Sequence, residues 1–67
     1  MARQVDLRGR RFWIMSEPHG VGWKATVIEI KADQAHEDVG IEATADTRTA
    51  ADDAAERKLR QLLQAHK

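Results

Sequence analysis

The side chains of this chain that could do chemistry are few, and their spacing decides against most of it. His19, His36 and His66 stand far apart, so no two share the i, i+4 spacing by which a helix presents paired metal ligands. His36-Glu37-Asp38 is a local cluster of possible cation ligands, but it falls in a polar stretch and reads as an exposed loop. Ser16 is the only serine, there is no cysteine, and no base lies near Ser16 in sequence, which argues against covalent catalysis. The carboxylate pairs Glu37-Asp38 and Asp52-Asp53 are immediate neighbours, and adjacent residues on a helix do not face one another. Gly20-Val21-Gly22 has a Gly-x-Gly spacing, yet a phosphate loop leads from a strand into a helix, and here strands stand on both sides. The expectation is a protein that is not an enzyme, with no metal and no cofactor.

The remaining chemistry is that of binding. Arg8 and Arg10, near Phe12 and with Lys24 on the next strand, could form a basic platform with one aromatic ring for stacking on a nucleic acid. The charge distribution limits that idea. Residues 1–31 carry a balance of +3, residues 32–56 a balance of −7 and residues 57–67 a balance of +4, with zero overall. A nucleic-acid binder ordinarily carries a basic excess that displaces counterions from phosphates.

The elements that must position these residues follow from periodicity. Residues 10–17 (RRFWIMSE) and 21–31 (VGWKATVIEIK) are rich in aromatic and β-branched residues, and residues 39–46 (VGIEATAD) alternate with period two; all three read as strands. Residues 32–38 read as a loop. Residues 1–8 are either a free N-terminal stretch or a backward extension of the first strand through Val5 and Leu7. From Thr49 the period becomes helical, with Ala51, Ala54, Ala55, Leu59, Leu62, Leu63 and His66 on one stripe of a helix over residues 49–66. Thr47 or Thr49 can cap it, and Asp53–Arg57 and Glu56–Arg60 are favourable i, i+4 pairs. The expected fold is α+β: a three-stranded antiparallel meander with one C-terminal helix packed on one face, in the order β-β-β-α.

Glu17-Pro18-His19-Gly20 fits a type I turn, and a three-residue loop there would set Glu17 opposite Val21, Met15 opposite Trp23 and Trp13 opposite Ala25. Both tryptophans would then share one face, the one expected to form the core with the helix. Phe12, Ile14, Ile28 and Ile30 would form the other face. Only 17 residues are hydrophobic and larger than alanine, so the core is thin and one helix covers a single face. The uncovered face is therefore the expected interaction surface, for a second copy or another protein. A nucleic acid held by Arg8, Arg10 and Lys24 is the alternative.

The order of elements and the helix sequence TRTAADDAAERKLRQLL resemble small antitoxin domains of the HicB type, which share a layout with double-stranded-RNA-binding domains. The resemblance spans about residues 10–65. It implies the β-β-β-α fold, but IEIKADQAHED stands where those chains carry a Pro-Asp-Leu-Pro-Gly-Cys-like stretch, so no functional residue is carried over. With no cysteine, no apolar leader and no apolar run longer than residues 12–15, a cytoplasmic protein with no membrane contact is expected.

Overall fold

A computed structural model describes residues 2–65. Four strands and one helix follow in order: β1 (Ala2–Leu7), β2 (Arg10–His19), β3 (Gly22–Ile30), β4 (His36–Ala45) and α1 (Arg48–Ala65). The strands form one antiparallel sheet in sequential order. The α+β class and the single C-terminal helix are as expected, but the sheet has four strands rather than three. The N-terminal stretch is a separate strand because Arg8 and Gly9 both take positive φ, 55° and 76°, as a two-residue type I′ hairpin requires. Val5 and Leu7 therefore fold back beside Phe12 and Arg10 instead of prolonging their strand.

The second hairpin corrects the expected register. Its loop is Gly20-Val21 alone, with Gly20 at φ 60° and His19 opposite Gly22. A glycine with positive φ at the first position is the type II′ arrangement, whose twist matches that of the strands. Pro18 belongs to β2, pairs with Trp23 of β3 and lies past Ala2–Met15, the last described pair with β1. The pairing is Ser16 with Ala25, Ile14 with Val27 and Trp13 with Ile28. It differs from the expected one by three residues, an odd number, and so exchanges the faces of one strand relative to the other.

Trp13 and Trp23 consequently lie on opposite faces. The helix covers Phe12 and Ile14 of β2 together with Ala25 and Val27 of β3. With Val5, Ala43, Ala51, Ala55, Leu59 and Leu63 these form the core. Phe12, Ile14, Val27 and Leu59 are wholly buried, each contributing about 1.5–3 kcal/mol of transfer free energy. Small residues on the first turns of α1 let the helix axis lie close to the sheet at that end. Trp23 closes the layer there, with the Arg48 guanidinium 4.6 Å above its ring.

β4 starts at His36, earlier than the expected boundary. Between Ile28–Asp38 and Thr26–Glu42 its register shifts by two residues, with Gly40 at φ 76° in the bulge. An even shift preserves alternation, so Val39, Ile41, Ala43 and Ala45 all meet the helix side. Thr47 caps α1, accepting from the Ala50 N–H through Oγ1 at 3.1 Å. Glu56 pairs with Arg60 at 2.9 Å, whereas Asp53 binds Arg3 of β1 at 2.8 Å, which ties the edge strand to the helix. Leu62, expected on the buried stripe, is 38% exposed, and His66 lies outside the described residues.

Candidate interaction surface

The helix leaves one broad face of the sheet open, and the pairings arrange its side chains in four rows. From one end, the first row is Asp6, Arg11, Ile30 and His36, and the second is Gln4, Trp13, Ile28 and Asp38. Met15, Thr26 and Glu42 follow, and then Glu17, Lys24 and Thr44. The apolar side chains Trp13, Met15, Ile28 and Ile30 all stand on the two central strands. The described side chains of the edge strands on this face are polar or charged. An apolar centre with a polar rim is the anatomy of a protein interface.

Trp13 is 37% and Met15 39% exposed, while Ile28 and Ile30 are half-buried against their neighbours. The Trp13 ring meets the His36 ring at 6.1 Å between centroids with a tilt of 47°, which steadies the indole without covering it. Ion pairs mark the rim. Lys24 Nζ lies 3.2 Å from Glu42 Oε2, and Arg11 Nε lies 3.6 Å from Asp6 Oδ1. The β4 edge is a poor place for another strand to add, because it is interrupted by its bulge and carries Glu37, Asp38 and Glu42.

The residues assigned from sequence divide between the two faces. Ile28 and Ile30 lie on the open face. Phe12 and Ile14 do not: both are fully buried beneath α1, because the two-residue loop reverses the facing of β2 against β3. Trp13 and Met15, expected in the core, take their place on the surface. The basic platform also fails to assemble. Lys24 points to the open face, while Arg10 lies on the helix side and Arg8 sits in the β1–β2 turn at the far end of the sheet.

Arg10 serves a buried carboxylate instead. Its guanidinium donates through Nε and Nη2 to the two oxygens of Glu29, at 2.9 and 2.8 Å, and lies 5.2 Å from the centre of the Phe12 ring. Glu29 is only 6% exposed, and Arg10, with help from Lys31, holds its carboxyl down to about 2 against the penalty of burial. Lys31 bridges Glu29 and Glu37 at 3.4 and 3.0 Å, which relieves two like charges set directly opposite one another. An open concavity of about 780 Å³ borders this cluster and Trp13, with charged and polar groups already paired along its wall.

Two other candidates resolve simply. Ser16 Oγ is buried and has no hydrogen-bond partner among the described residues. Among the described residues no group of three or more His, Asp or Glu side chains could hold a metal ion, and no helix is long and apolar enough to cross a membrane. Gly22 is explained by packing: a Cβ there would stand 2.5 Å from the Ala45 carbonyl oxygen, where β4 passes toward the helix. No protein-family model, curated protein or solved structure matches the chain.

Proposed function

We propose that this chain is a non-enzymatic association module that binds a second copy of itself through the open face of its sheet. The observation that carries this is the confinement of Trp13, Met15, Ile28 and Ile30 to the two central strands, with polar side chains around them. An antiparallel sheet that keeps one face in water alternates apolar inward with polar outward. Here β2 and β3 are apolar on both faces at their centres, so the second face gains free energy by being covered.

The dimensions suit a partner of the same size. The Cα envelope measures 35 × 25 × 16 Å, so its largest projection is roughly 700 Å², of the same order as the ~800 Å² of accessible surface each partner contributes to a standard interface. A nucleic acid is the poorer occupant, because Asp6, Glu17, Asp38 and Glu42 outnumber Arg11 and Lys24 on this face.

Sedimentation across a micromolar concentration series tests the proposal. The wild-type chain is expected to be a dimer, and Ile28→Lys a folded monomer with unchanged circular dichroism. A wild-type monomer, or a dimer indifferent to Ile28→Lys, would refute it.

A further inference from the structure

The charges on the open face select how two copies can meet, if that face is the association surface proposed above. Sheets that pack face to face form aligned layers about 10 Å apart, their strands inclined by roughly 30°. A two-fold axis between the layers can run either across the strands or along them.

With the axis across the strands, each strand lies over its own copy, end for end. Arg11 then meets Glu17 and Trp13 meets Met15, but Asp38 meets Glu42, placing carboxylate on carboxylate in a region that loses water. With the axis along the strands, between β2 and β3, β2 of one copy lies over β3 of the other. Trp13 then covers Ile28, Met15 covers Thr26 and Glu17 meets Lys24, each contact occurring twice. At the outer strands Asp6 meets His36 and Gln4 meets Asp38, and none of these contacts sets two carboxylates together.

We infer that two copies form an eight-stranded sandwich about a two-fold axis running along the strands, with Trp13 of each over Ile28 of the other and Glu17 of each paired to Lys24 of the other. In this arrangement Trp13 and Ile28 stack twice at the centre, with Met15 over Thr26 and Ile30 over Arg11 beside them, and Glu17 and Lys24 complement one another at one end. The Glu17–Lys24 pairs favour one register of one sheet on the other, because sliding by one row would set Glu17 over Thr26 and leave Lys24 with only the Glu42 of its own chain.

The experiment uses two variants, Glu17→Lys and Lys24→Glu, studied by sedimentation alone and in an equimolar mixture, with circular dichroism to check folding. Each variant alone sets like charges together at two places, so its self-association is expected to weaken at least tenfold. The mixture is expected to recover dimers, as one-to-one heterodimers in native mass spectrometry, since both contacts are then between opposite charges. Glu17 and Lys24 are also neighbours within one chain, but mixing cannot repair a contact inside a chain, so recovery isolates the contact between copies.

Two variants that dimerise like wild type, or a mixture that recovers nothing, would overturn this geometry. So would a Lys24→Glu dimer that persists while Glu17→Lys and Arg11→Glu are both monomeric, the pattern of the axis across the strands. Arg11→Glu supplies an independent measure: it falls over Ile30 in the inferred dimer and is expected to change association less than threefold. A wild-type chain that stays monomeric fails at the earlier step, that the open face is the association surface at all.

Discussion

Replacing Glu29 by glutamine removes a buried carboxylate whose ionisation is tied to the fold, and its effect depends on pH in a definite direction. The Glu29 carboxyl is held down from 4.5 to about 2, chiefly by the two hydrogen bonds from Arg10. A depressed folded-state value means that the unfolded chain binds the proton more readily. The stabilisation is therefore complete above about 4.5 and is lost as pH falls through about 2. The full depression corresponds to a ceiling of about 3 kcal/mol. The Arg10 and Lys31 side chains are 46% and 43% exposed, so solvent screens the pairing and about 1–2 kcal/mol is the reasonable share.

Urea unfolding at fixed protein concentration, followed by circular dichroism at pH 7, 4.5 and 2.5, measures this share. Glu29→Gln is expected to be about 1–2 kcal/mol less stable than wild type at pH 7, with most of the difference gone at pH 2.5. Other carboxylates titrate in both proteins and cancel in the comparison. Glu37→Gln is the control, because Glu37 touches the same Lys31 but is 55% exposed; its effect is expected to stay within about 0.5 kcal/mol. A Glu29→Gln deficit that is the same at pH 7 and pH 2.5 would refute the argument, since the loss would then come from packing and not from charge.

Gly22→Ala is expected to cost about 1–3 kcal/mol in thermal or urea unfolding, because the new Cβ meets the Ala45 backbone carbonyl and not a side chain that can move aside. Val21→Ala, one residue earlier and fully exposed, is expected to leave stability unchanged and would count against this explanation if it cost as much. Thr47→Ala removes the Oγ1 acceptor from the start of α1 and is expected to cost about 1 kcal/mol, while Thr47→Ser retains most of the stability. A Thr47→Ser variant as weak as Thr47→Ala would show that the hydroxyl is not the stabilising group.

The helix was legible because a stripe at helical spacing has few competing explanations over eighteen residues, and Thr47 marks its start. Strands β2, β3 and β4 were legible from composition and alternation. β1 was not, since ARQVDL contains only two large apolar residues and is a strand by virtue of pairing with β2. Its signal lay in the turn: Arg8-Gly9 takes two positive φ values, and only the glycine advertises this in sequence. The Glu29 cluster was equally hidden. Arg10 and Glu29 are 19 residues apart, and nothing local marks either as the partner of the other.

Which face of the sheet stays open turned on the length of one loop. β2 alternates Phe12 and Ile14 with Trp13 and Met15, so both of its faces are apolar and the strand alone cannot say which is covered. β3 carries Val27 on one side and Ile28 and Ile30 on the other, and leaves the same choice open. Two such strands can be joined in either parity, and each parity yields a plausible core. Pro18 suggests a type I turn and a three-residue loop, while Gly20 serves equally as the first position of a type II′ loop of two residues. The helix decides between them through the outer strands. Val5 and Leu7 of β1 and the run Val39, Ile41, Ala43 and Ala45 of β4 supply apolar side chains to one face only. That face is the one on which α1 can bury a continuous layer, and it carries Phe12 and Ile14. The face with polar outer strands is left with Trp13 and Ile28 at its centre, an exposed apolar strip rather than a second core.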